Sequence, residues 1–91
     1  MDLYRAPTAQ KWQRLRTAAG FKSDRAFERA GGFSAGTLWT WVTPGPQQRD
    51  PNVKSLRIVK ELLGVSLDEL DGIFTSWRRE LAELAKREAR R

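Results

Sequence analysis

The sequence predicts an all-α fold, and three observations carry it. Apolar residues recur three and four positions apart along most of its 91 residues. Capping residues and glycines mark off short segments between them. The last stretch is built almost wholly from strong helix formers. Five helices are expected over residues 8–74, followed by a C-terminal amphipathic helix over 75–91.

Met1 to Pro7 shows no periodicity and reads as a loose arm. The first helix spans Thr8 to Ala19, with Thr8 as cap, Gly20 as stop and a buried stripe of Trp12, Leu15 and Ala19. The second runs from Ser23 to Ala30, capped by Lys22 or Ser23, with Asp24 suited to the positive end of the helix dipole. Ala26, Phe27 and Ala30 face inward, and Gly31-Gly32 then breaks the chain.

The third helix is read as opening at Ser34, a favoured N-cap, and ending at Val42. At helical intervals Ala35, Leu38, Trp41 and Val42 fall on one side, Gly36 and Thr40 on the other, and Thr37 and Trp39 on the flanks. An ordinary surface helix would carry Lys and Glu on its outward face. Small and hydroxylated residues there suit a helix whose backbone must enter a groove about 12 Å wide.

Thr43 to Pro51 is a loop with three prolines and a glycine, and with Gln47, Gln48 and Arg49 at its centre. The fourth helix, Asn52 to Leu63, draws its apolar face from Val53, Leu56, Val59, Leu62 and Leu63, and Gly64 ends it. Ser66 and Glu69 form a capping box for a fifth helix reaching about Ile73. The acids Asp68, Glu69 and Asp71 are explained by the dipole of that first turn rather than by a metal or a catalytic site. The last helix, Thr75 to Arg91, follows directly, and Phe74, Trp77, Leu81 and Leu84 make an a/d seam. That seam either docks on the chain's own domain or pairs with the same helix of a second copy.

Composition narrows the function. With no Cys and no His, disulfides, thiolate chemistry, zinc sites and the commonest general base are all missing, so no enzyme, metal or cofactor is expected. There is no apolar run of signal-peptide or membrane-span length, so the expected setting is cytoplasmic and nucleoid-associated, with no membrane partner. The net charge of +6 is unevenly spread. Residues 1–49 hold eight Lys/Arg against three acids, residues 50–74 three against five, and residues 75–91 six against three. A basic first half beside an acidic patch points one face at a polyanion.

Residues 12–74 resemble the lambda-repressor-like, Cro/CI-type (XRE) helix-turn-helix family. The likeness rests on Arg16-Thr-Ala-Ala-Gly-Phe21 at the end of the first helix and on Ser34-Ala-Gly-Thr-Leu-Trp-Thr-Trp41 as a recognition helix. It rests most of all on the string from Pro51 through Leu56, Leu62 and Gly64 to Ser66 and Leu70. The resemblance implies a five-helix domain, a homodimer on a two-fold operator, and transcriptional control, with repression the expected mode, in a bacterium or phage. It implies that Ser34, Ala35, Gly36, Thr37, Trp39 and Thr40 read bases of double-stranded DNA. Phosphates would be held by Lys22, Ser23, Arg25, Gln48, Arg49, Asn52 and Lys54.

Three departures from the family pattern stand out. The turn before the recognition helix has two glycines where one is usual, and Phe27 stands where a small residue is usual; together these imply a shifted recognition helix. Val42 stands where a glutamate often pairs with the counterpart of Arg16, leaving Arg16 free for another partner such as phosphate. No Arg, Asn or Gln lies on the recognition helix, so thymine-methyl contacts, hydroxyls and DNA shape would carry specificity. The seam of Phe74, Trp77, Leu81 and Leu84 would serve dimerisation. The alternative function is an antitoxin or adaptor that grips a protein partner through the C-terminal helix.

Overall fold

Five helices follow a short 3-10 turn, Leu3–Arg5, in the computed structural model, which describes residues 2–90. They are α1 (Thr8–Ala18), α2 (Asp24–Ala30), α3 (Thr37–Val42), α4 (Val53–Leu63) and α5 (Leu67–Ala89), and the described residues contain no strand. The expected outer limits at Met1 and Arg91 lie outside the described residues.

The fifth and C-terminal helices of the sequence reading are one helix. α5 runs unbroken from Leu67 to Ala89, so no boundary falls at residue 75. Gly72 inside it costs about 1 kcal/mol of helix propensity. Burial on both sides of residue 75 outweighs that, because Leu70, Ile73, Phe74, Trp77 and Leu81 all enter one core with Trp12, Phe27 and Leu38. α5 packs against α1, α3 and α4, and α2 joins through α3.

Aromatic side chains organise this core. Trp12, Phe27, Phe33, Trp41 and Phe74 form a closed circuit with ring centroids 5.0–6.1 Å apart. Phe21 joins it through Phe27, Trp77 through Trp12, and Tyr4 through Trp77. The edge-on pairs of the circuit, Trp12–Phe27, Phe33–Trp41 and Trp41–Phe74, add about 0.5–1.5 kcal/mol each beyond area burial. The Leu3–Arg5 turn is therefore tied down rather than loose: Leu3 is buried and its carbonyl accepts the Trp77 indole N–H at 2.9 Å.

The helix caps divide into two kinds. Ser23, Asn52 and Ser66 cap α2, α4 and α5 locally, accepting the amides of Ala26, Ser55 and Glu69. The N-caps of α1 and α3 are Pro7 and Gly36, which have no side-chain acceptor. A distant carboxylate serves each instead. Thr8, expected as a cap, is the first helical residue, and its amide and hydroxyl donate to Glu80 of α5 at 2.7 and 2.5 Å. Glu28 of α2 does the same for α3.

Val53, the first residue of α4, departs from its expected place in the core and is 64% exposed. Val59 is buried, and Leu56, Leu62 and Leu63 pack against the core as expected.

Candidate nucleic-acid interface

The turn between α2 and α3 determines what α3 can present. Gly31 closes α2, and the Phe33 ring folds back over it so closely that a β-carbon there would meet ring atoms at 2.5 and 2.8 Å. That fold-back places Phe33 between Phe27 and Trp41 in the aromatic circuit. The chain then needs residues 34–36 to turn, and Gly36 takes a left-handed conformation at φ +84°. α3 consequently opens at Thr37, three residues later than the sequence reading placed it. Ser34 serves the first turn through its carbonyl, which accepts both the amide and the hydroxyl of Thr37, rather than through its hydroxyl.

Leu38, Trp41 and Val42 point into the core, as expected. Ser34, Ala35, Gly36 and Trp39 are exposed, and Thr37 and Thr40 are half-buried. Trp39 is the one aromatic residue outside the core network, and it stands 36% exposed on the outward side. Both threonine hydroxyls donate to backbone carbonyls at 2.7 Å, Thr37 to Ser34 and Thr40 to Thr37. Each thus offers outward a methyl group and an oxygen that can accept.

A cleft of about 540 Å³ lies between this surface, the loop after α3 and the start of α4. Five of the expected base readers line it, Ser34, Ala35, Gly36, Thr37 and Thr40, together with Arg49 and Asn52 from the expected phosphate holders. Trp41, Pro46, Gln47, Asp50 and Ser55 complete the wall, and none of these is among the contacts expected from the sequence. Asn52 accepts from Ser55 through its side-chain oxygen at 2.7 Å, which leaves its amide N–H groups as donors.

The remaining expected phosphate holders are dispersed. Gln48 turns its amide toward the Val42 carbonyl. Lys54 is exposed on the first turn of α4. Lys22 and Ser23 border a separate concavity with Tyr4, Gln13, Arg16 and Asp24. Arg25, its side chain partly exposed, donates to the Phe33 carbonyl at 3.3 Å and pairs with Glu28 at 3.6 Å.

Arg16, expected to be free, is buried and lies 3.5 Å from the Asp24 carboxylate. Asp24 also accepts the Trp12 indole N–H at 2.9 Å and the Tyr4 hydroxyl at 2.6 Å. Burial first, and then the hydrogen bond to Asp24, push the Tyr4 hydroxyl well above the usual tyrosine range.

Two charged residues that support the cleft were not legible as such. Glu28 is only 4% exposed, and it accepts the amides of Leu38 at 3.0 Å and Gly36 at 3.4 Å. Arg78 of α5 pairs with Asp50. The acids nearest the cleft are therefore each matched by an arginine, while Arg49 adds positive charge to its wall.

The seam proposed for dimerisation is occupied within the chain. Trp77 and Leu81 are fully buried, Phe74 is 4% exposed, and the partly buried Leu84 packs against the same core. A pairing surface made of these four side chains is not presented. The described residues contain no grouping of acids suited to a metal ion and no helix long and apolar enough to cross a membrane. The chain matches no protein-family model, and searches of curated proteins and of solved structures return no similar protein.

Proposed function

We propose that the chain is a sequence-specific double-stranded DNA-binding regulator of the lambda-repressor-like type, with α2 and α3 as its helix-turn-helix and the outward side of α3 at the major groove. One observation carries the reading: five candidate base readers share a single cleft with Arg49 and Asn52. Base edges and a flanking phosphate lie side by side on a duplex, so a protein that reads DNA must offer both kinds of contact together. The absence of long charged side chains on α3 lets its backbone come close to the bases, and the threonine methyls suit the thymine methyl group.

The protein-partner alternative rests on the apolar face of the C-terminal helix, which the core uses, and on Trp39, which is exposed. Trp39 is a single side chain, whereas the DNA reading draws on seven candidate residues around one cleft.

Selection from random double-stranded DNA at near-physiological salt tests the proposal. An enriched motif supports it, and a palindrome would add two-fold binding with a defined half-site spacing. Loss of all enrichment at every salt concentration rejects it. A binder making about four phosphate contacts should lose on the order of a hundredfold in affinity between about 50 and 200 mM salt.

A further inference from the structure

Arg78 lies on α5, far in sequence from every stretch assigned to DNA, yet its guanidinium spans the loop that follows α3. Its Nε donates to the Trp41 carbonyl, one terminal nitrogen donates to the Arg49 carbonyl at 3.1 Å, and the other pairs with the Asp50 carboxylate. These partners sit at the two ends of the loop. Trp41 belongs to the last turn of α3, and Arg49 and Asp50 close the loop before α4.

Within itself the loop is weakly held. Its backbone ties are the Arg49 amide to the Thr40 carbonyl at 2.9 Å and the Gln48 amide to the Gly45 carbonyl at 3.1 Å. Residues 45–50 are all exposed, so no apolar burial fixes them. A planar, forked guanidinium can fix two carbonyls and a carboxylate at once, where a lysine would supply only a point charge.

We infer that Arg78 is a positioning residue that holds the loop so that Arg49 faces the cleft, and that DNA affinity depends on it although it is not itself a contact. This rests on the DNA-binding reading. The charge of Arg78 is matched by Asp50, so its contribution comes from geometry.

The test compares Arg78→Ala with Arg79→Ala, which removes the same charge from the exposed neighbouring position. Hydrogen exchange at the Arg49 amide should speed up tenfold or more in Arg78→Ala and stay unchanged in Arg79→Ala. On the motif recovered by selection, the salt slope should fall by about one more in Arg78→Ala than in Arg79→Ala. Arg78→Lys should fall between wild type and Arg78→Ala, and it carries the test if the alanine variant does not fold. Equal exchange in the two alanine variants overturns the clasp. Faster exchange with equal salt slopes overturns its link to DNA. A wild-type chain that enriches no DNA removes the reading and this role together, whatever the exchange shows.

Discussion

Glu28 caps Leu38. The carboxylate at the centre of α2 accepts the Leu38 amide at 3.0 Å, so the helix packed behind α3 satisfies its free N-terminus. This bond is also what makes the late start of α3 tolerable, since Gly36 brings no side chain of its own to the cap. The carboxylate is buried, and Arg25 at 3.6 Å balances its charge.

Replacing Glu28 should therefore cost more than a surface substitution. Glu28→Ala leaves two amides without their acceptor and is expected to destabilise the fold by about 2–3 kcal/mol. Glu28→Gln keeps an oxygen in place and should cost about 1 kcal/mol less than Glu28→Ala. Thermal unfolding followed by circular dichroism separates them, at roughly 4–8 °C per kcal/mol for a domain of this size. Identical melting of the two variants would show that the capping oxygen is not what matters.

Glu80 makes the same provision for α1, and its bonds to Thr8 can be taken apart. Thr8→Ala loses the hydroxyl bond and keeps the amide bond, whereas Glu80→Ala loses both. The expected costs are about 0.5–1 kcal/mol for Thr8→Ala and about 1–2 kcal/mol for Glu80→Ala. In the double variant the Thr8 change should add almost nothing, a coupling that chemical denaturation can read. Simple additivity would mean that the two residues act separately.

These two carboxylates show where sequence reasoning stopped. Helix identity was legible because spacing and local caps are local properties: Ser23, Asn52 and Ser66 bond within three residues of themselves. Glu80 and Glu28 reach helices 72 and 10 residues away, and nothing in either local pattern marks them as caps. Arg78 is likewise an unremarkable basic residue on a polar helix face until the fold brings it to Asp50. The α5 seam was legible as apolar, but apolar spacing does not say whether a helix meets its own core or a second copy. Fold-back of Phe33 decided the start of α3, and that follows from its packing between Phe27 of α2 and Trp41 of α3 rather than from the preference of Ser34 for capping.

Thr43, at the end of α3, is buried, and its hydroxyl has no hydrogen-bond partner. Thr43→Val keeps the shape and removes the unpaired group, so a gain of about 1 kcal/mol is expected. A rise in melting temperature checks it. A fall would mean that the hydroxyl is satisfied in solution.

Tyr4 gives the fold an alkaline limit. Its hydroxyl is held protonated by burial and by donation to Asp24, so its folded pKa lies above the unfolded value of about 10. The contribution is fully present below that unfolded value and is lost as the pH rises from there through the folded one. Loss of the hydrogen bond to Asp24 should leave Tyr4→Phe less stable than wild type at neutral pH, and the gap should narrow as the pH rises past about 10. Denaturation curves across the alkaline range measure the gap, and a constant difference would mean that folding does not raise the pKa of this hydroxyl.

Within the cleft, Thr40 and Arg49 are expected to divide the work of recognition. Thr40 presents a methyl group and an accepting oxygen, groups that can distinguish one base pair from another. Arg49 brings a flexible positive side chain on an exposed loop, suited to a phosphate that is the same on every sequence. Thr40→Ala should change which sequences are enriched, by about 1–3 kcal/mol at the affected base pair, while leaving the salt slope intact. Arg49→Ala should weaken all sequences alike and lower the salt slope by about one. Repeating the selection with each variant, and titrating salt on the wild-type motif, reads both effects. A uniform loss from both substitutions would place Thr40 away from the bases, and a changed motif from Arg49→Ala would move base reading onto the loop.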